Sequence, residues 1–166
     1  MSFKQKNGDS EVTGDFSRLE KLVENLGKKM FVDVGILGST NKTVEGGATL
    51  ALIMAVHEFG TDKAGRGNST VIPSRSWLVM PLETGQKEIE KALEPKIQSL
   101  IEKGDIEGIF KLLGLACEAR IQEAFETGGF GNWPELAEST IQQKGSAAIL
   151  IHTGAGRQAV TSKVGG

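Results

Sequence analysis

Few residues in this chain are of types that could do chemistry, and they are scattered. Near the C-terminus, Ile149-Leu150-Ile151 leads into Gly154-x-Gly156-x-x-Ala159. This formally fits the glycine pattern that seats a dinucleotide pyrophosphate on a helix N-terminus. That chemistry also needs a following helix, a second parallel strand and an acidic residue about twenty positions on. The run after Ala159 offers none of these, so the spacing predicts a turn between two strands, its glycines supplying positive φ. Metal ligation meets a similar shortage. His57-Glu58 is followed by Thr61, where a zinc-binding helix would carry its second histidine. His57, His152 and Cys117 are too few soft ligands for a structural zinc site unless carboxylates or another subunit contribute. Ser139 and Ser146 stand in no G-x-S-x-G context, so no nucleophile elbow is encoded. The expectation is a chain with no catalytic residue, no metal ligand set and no cofactor.

What remains is contact chemistry. Arg66, Arg75, Arg120 and Arg157 are candidates for ion pairs or nucleic-acid contacts, each solvated by default. Arg120 stands beside an apolar stripe, which predicts a stem packed on the core edge with its head outside. Phe130 and Trp133 lie among Gly128, Gly129 and Gly131. Either they fold back to cap the end of a long helix, or they anchor another subunit, since aromatics concentrate at interface hot spots.

The elements that must position these residues follow from periodicity. Residues 1–15 are polar and offer little to bury, which predicts a flexible arm. Phe16, Leu19, Leu22, Val23 and Leu26 recur at helical spacing, predicting a helix over 16–29. Met30 to Leu37 reads as a core strand. Gly38 to Gly47 is turn chemistry, and Ala48 to Phe59 reads as a largely buried helix closed by Gly60. Thr61 to Thr70 is a polar, glycine-rich loop. A helix is expected from Trp77 to Lys103 with a kink or break at Pro95, which lacks a donor and clashes with the preceding turn. Asp105 then caps a helix from Ile106 to Glu126, with Ile109, Phe110, Leu113, Cys117, Ile121, Ala124 and Phe125 on one stripe. Cys117, so placed, reads as a buried and inert thiol. A short helix, the apolar strand 149–151 and a closing strand over 159–164 end the chain.

Composition sets the bounds. The 166 residues are 39% hydrophobic and 24% charged, the range of one soluble globular domain. A net charge of −2 does not favour holding a polyanion as the main task, and leaves room only for a local basic patch. A single cysteine excludes an internal disulfide. The longest apolar run, Ala48 to Val56, is far short of the roughly 20 residues that span a bilayer. The expected fold is α+β: one domain over 16–166, a small, mainly antiparallel sheet packed against two or three long helices, with mobile glycine-rich loops.

Two blocks of sequence resemble a known family. The first is His57-Glu58-Phe59-Gly60-Thr61, followed by Ile72-Pro73-Ser74-Arg75-Ser76-Trp77-Leu78. The second comprises Trp133, Pro134, Leu136, Thr140, Lys144, Gly145, Thr153, Gly154, Thr161 and Val164. In this order they resemble the neck and tail-completion proteins of tailed bacteriophages, also described as virion morphogenesis proteins. The chain departs from that pattern in three places. His152 stands where the family tends to carry Asp, Gly156-Arg157 replaces a Leu-Arg pair, and Trp133 adjoins Pro134 directly.

The resemblance implies a structural subunit, not an enzyme: a six- or twelvefold ring of the chain's own copies around the DNA channel of the head–tail connector. Its partners would be neighbouring neck, tail-terminator or tail-tube proteins, with DNA only as passing cargo and no membrane. It would be assembled in the bacterial host cytoplasm and reside in the virion. Lys63, Arg66, Arg75, Phe130, Trp133 and Arg157 are then the expected interface side chains. A second reading is a small cytoplasmic α+β enzyme or ligand-binding domain with an anion site at the His57–Arg75 and Thr153–Arg157 turns. A third is nucleic-acid binding through Lys63, Arg66 and Arg75.

Overall fold

The computed structural model describes residues 2–7, 10–15, 24, 27, 29–44, 46–65, 67, 69–138, 141–142 and 154–166, the first two stretches by backbone alone. In chain order the elements are β1 (Ser2–Asn7), β2 (Ser10–Asp15), β3 (Phe31–Ile36), α1 (Leu50–Phe59), β4 (Thr61–Ala64), β5 (Thr70–Ile72), α2 (Val79–Thr84), α3 (Gln86–Glu102), α4 (Ile106–Thr127), α5 (Ala155–Ala159) and β6 (Val160–Gly165). The fold is α+β and forms a single domain.

The longest helix is the spine. Asp105 caps α4 by accepting the Gly108 N–H at 2.8 Å, and Gly128, in the left-handed region, ends it. The central sheet pairs β3 with β6 antiparallel, Phe31 opposite Gly165 through Ile36 opposite Val160. It crosses α4 where Gly114 lies against Val32 and Ser162. Helices α2 and α3 also pack on α4. The buried core gathers at the other end of α4, from Leu50, Met54, Trp77, Ile121, Ala124, Phe125, Trp133, Ala159 and Val160. The expected stripe on α4 is therefore fully buried only in its C-terminal half. Ile109, Phe110, Leu113 and Cys117 are half-buried.

Helix α1 begins at Thr49, whose hydroxyl accepts the Leu52 N–H at 3.3 Å, and closes at Gly60, whose N–H reaches the Val56 carbonyl at 2.8 Å. Its burial is one-sided: Leu50, Met54 and Glu58 point inward, while Leu52 and Phe59 are exposed. The preceding segment, expected as turn chemistry alone, braces this helix. Asn41 Oδ1 accepts the Ala51 N–H at 2.9 Å and the Lys42 carbonyl accepts the Leu50 N–H at 2.8 Å.

Four expectations change. The helix foreseen from Trp77 to Lys103 is two helices, and the break falls at Gly85, not at Pro95. A Cβ at Gly85 would run into the Arg120 side chain and the Pro81 carbonyl, so only glycine lets the two pass. Pro95 lies on the exposed side of α3, where solvent can take up the carbonyl its ring displaces. The segment expected as a loop over Thr61–Thr70 carries regular structure, because β4 and β5 pair antiparallel there and the pairing runs on to Ile72. The expected turn at 154–159 is the short helix α5. Finally, residues 2–15, expected as an arm without regular structure, pair as a ribbon from Ser2↔Asp15 to Asn7↔Ser10. In that register Lys6 stands opposite Glu11. The helix expected over 16–29 and the strand expected at 149–151 lie outside the described residues, apart from 24, 27 and 29.

Candidate functional site

The chemistry-bearing residues that the fold brings together meet where α1 ends and α2 begins. Glu58 sits in the last turn of α1, the negative end of the helix dipole, where a carboxylate is unfavourable unless something else holds it. What holds it is the start of α2. Glu58 Oε2 accepts the N–H groups of Trp77 at 2.7 Å and Leu78 at 2.9 Å. Oε1 accepts the Val79 N–H at 3.1 Å and the Ser76 hydroxyl at 2.5 Å. The N-cap residue of α2, Leu78, has no side-chain cap of its own. A helix earlier in the chain thus supplies most of the cap: Glu58 takes the N–H groups of Trp77, Leu78 and Val79, and the Ser76 hydroxyl, itself bonded to Glu58, accepts the Met80 N–H at 2.9 Å. Glu58 is only 6% exposed.

The segment between them is tied down on both sides. Ser74 donates its hydroxyl to the Glu58 carbonyl at 2.7 Å, and the Arg75 N–H reaches the His57 carbonyl at 2.6 Å. Both bonds satisfy terminal carbonyls of α1. The Arg75 side chain, 4% exposed, turns the other way: Nε donates to the Pro134 carbonyl at 2.9 Å and a terminal nitrogen to the Glu135 carbonyl at 3.0 Å. Burial pushes the Arg75 guanidinium below its ordinary pKa.

Two indoles close the arrangement. Trp77 Nε1 donates to the Met54 carbonyl at 2.8 Å and Trp133 Nε1 to the Ser76 carbonyl at 3.0 Å. Phe125 lies between them, 6.0 Å from the Trp77 ring and 5.7 Å edge-on to Trp133. Gly129 carries φ 68° and its Cα faces the Trp133 indole so closely that a Cβ would overlap the ring. The glycine cluster ahead of Trp133 is therefore a seat for that indole.

This arrangement fastens; it leaves little capacity to react. The four acceptor positions of Glu58 are filled by N–H and O–H groups of the same chain, and two sides of Arg75 are filled by carbonyls. Of the expected interface side chains, Arg75 and Trp133 (7% exposed) are thus inside the fold, which corrects their placement on an interface. Phe130 is half-buried at φ 56°, and its ring carries the Arg120 guanidinium 3.9 Å from the centroid. Arg120 also pairs with Glu123 at 2.7 Å and is more enclosed than a stem with a solvated head. Arg157 binds α4: its Nε donates to Gln122 Oε1 at 2.7 Å and its terminal nitrogen pairs with Glu126. Lys63 is exposed on β4, and Arg66 lies outside the described residues.

The dinucleotide-like glycines resolve differently. Gly154 precedes α5, Gly156 is buried against the Met54 sulfur, and the chain runs directly into β6, antiparallel to β3. Among the described residues no group of three or more His, Cys, Asp or Glu side chains is placed to hold a metal, and no helix is long and apolar enough to cross a membrane. Burial, and then the Glu118 carboxylate, push the Cys117 thiol above its usual pKa. Thr140, Lys144, Gly145, His152, Thr153, Ser139 and Ser146 lie outside the described residues.

Sequence reasoning found the blocks that build this site and missed the part Glu58 plays in it. One signal was present: an acidic residue in the last turn of a helix, against the dipole, needs a partner elsewhere. Comparison with known protein families, curated proteins and solved structures finds no match to this chain.

Proposed function

We propose that this chain is a structural subunit of the connector that joins head to tail in a tailed bacteriophage, set in a six- or twelvefold ring around the DNA channel. One observation supports the reading beyond the motifs themselves. The two blocks that resemble this family touch each other: Arg75 of the first hydrogen-bonds the Pro134 carbonyl of the second, 59 residues away, and Trp133 reaches back to Ser76. Parts of one structural framework should be bonded in this way.

In this reading the buried fastening fixes the frame, and the outer faces are left to partners. Those partners are other copies of the chain and neighbouring neck, tail-terminator or tail-tube proteins. A net charge of −2 lets DNA pass without the phosphate contacts that would hold it.

The test is genetic and structural. Phage produced without this chain should accumulate DNA-filled heads and separate tails, and complementation should restore joined particles. Tagged chain should localise to the head–tail junction at six or twelve copies. Joined, infectious particles that lack the chain would overturn the reading.

A further inference from the structure

Helix α1 turns an unusual face to solvent. Leu52 and Phe59, seven residues apart and therefore on one side of the helix, are 58% and 76% exposed, and Val71 on β5 is 69% exposed. The ten residues of α1 include one acid, Glu58, whose carboxylate is buried in the contacts with α2, and no Lys or Arg. The end of β5 meets the C-terminal cap of α1, where the Ile72 carbonyl and Ser74 lie against Gly60, and the three side chains together expose on the order of 300 Å² of apolar surface, the scale of a functional patch. A stable interface needs about 800 Å² per partner, so the patch can be the centre of a contact but not all of it.

The rim completes it. Thr61 pairs with Ile72 and Ala64 with Thr70, so the irregular register sets Asp62 and Lys63 together opposite Val71. Both are exposed. One acid and one base side by side carry no net charge, which gives a polyanion or an anionic membrane nothing to hold. The same pair is self-complementary. A two-fold axis passing between the two residues sets Asp62 of one copy against Lys63 of the other, twice.

We propose that the outer face of α1 and the adjoining β4–β5 ribbon form a two-fold contact between two copies of this chain. This contact goes beyond the ring reading and does not rest on it. It closes at two copies, and rings joined through it have dihedral symmetry.

The experiment is light scattering of the full chain from about 10 to about 500 µM, the range in which a contact this small associates. The wild-type mass should double reversibly. Phe59→Asp should remain monomeric, its urea midpoint lowered only by the small penalty of a carboxylate at a helix C-terminus. Lys63→Asp and Asp62→Lys should each weaken association about tenfold, because each places like charges across the axis. Mixing those two variants should restore a mixed pair, as should both changes in one chain. A wild-type chain that stays monomeric throughout the range overturns the proposal. So does a Phe59→Asp chain that associates normally, or a mixture that fails to recover. A ring whose mass is unaffected by Phe59→Asp would leave the connector reading standing and remove this contact.

Discussion

The two sides of α1 reverse the usual arrangement of a surface helix. Its inner side carries a buried carboxylate, Glu58, next to Met54 and Leu50, while its outer side carries the exposed apolar Leu52 and Phe59. On the inner side a charge is stable because four donors of the chain surround it, and that bonding specifies where α2 must start. On the outer side Leu52 and Phe59 stay exposed, so burial does little to reward an apolar group there. Burial alone therefore does not reveal the role of a residue on this helix. The inner side determines the fold, and the outer side contributes little to stability and is free to serve association.

The sharpest way to break that comparison is to remove charge from the inner side while keeping volume. Glu58→Gln replaces one carboxylate oxygen with an NH2 group that must face N–H groups or the Ser76 hydroxyl. Hydrogen bonds to a charged group contribute about 1.5–3 kcal/mol each, and at least one is lost outright with its donor left buried. The expected destabilisation is about 3 kcal/mol, read as a shift of the urea midpoint at constant slope. A loss below about 1 kcal/mol would show that segment 74–79 is held by packing alone.

Arg75→Lys comes next. A lysine has a single charged nitrogen, which cannot reproduce the fork that reaches the Pro134 and Glu135 carbonyls together. One carbonyl loses its donor, at a cost of about 1–2 kcal/mol. The same measurement on Arg157→Lys, whose site on α4 is more open to solvent, should show about half that or less. Equal effects would mean that burial does not distinguish the two arginines.

How much of this was legible in the residues depends on the range of the cause. The cap at Asp105, the closure of α1 at Gly60 and the strands β3 and β6 follow from local chemistry, and they lie where the spacing put them. The break at Gly85 does not, because its cause is the Arg120 side chain on α4, remote in sequence. Pro95 carries the stronger local signal for a break, yet the helix runs through it. The β1–β2 and β4–β5 ribbons were hidden by polarity: with little to bury, their alternation carries no apolar signature. The site was half legible. His57–Thr61 and Ile72–Leu78 stood out as blocks, and Phe130 and Trp133 as aromatics among glycines, with capping of the long helix and an interface both open. That Arg75 is inside could not be read, since an arginine is exposed by default and its carbonyl partners carry no side-chain signature. Leu113 shows the same limit. It has the right spacing for the core of α4 but is half-buried, so Leu113→Ala should cost about 1–2 kcal/mol, below the usual range for a filled core site.

The smallest expected effect tests the comparison most directly, because it applies one substitution to both sides of one helix. Gln and Leu have similar helix propensities, as do Gln and Met, so the exchange itself leaves α1 intrinsically unchanged. At Met54, 3% exposed and packed on Gly156, a glutamine buries an amide among apolar groups, and the chain should lose about 2–4 kcal/mol. At Leu52 the same amide meets water, and stability measured on dilute, monomeric chain should stay within about 0.5 kcal/mol of wild type. Protein concentration supplies the control. If the outer side of α1 is a contact, the stability of wild type rises with concentration by mass action, and that of Leu52→Gln does not. A Leu52→Gln chain that unfolds as readily as Met54→Gln would mean that Leu52 is held by the fold after all. The outer side of α1 would then contribute to folding as the inner side does.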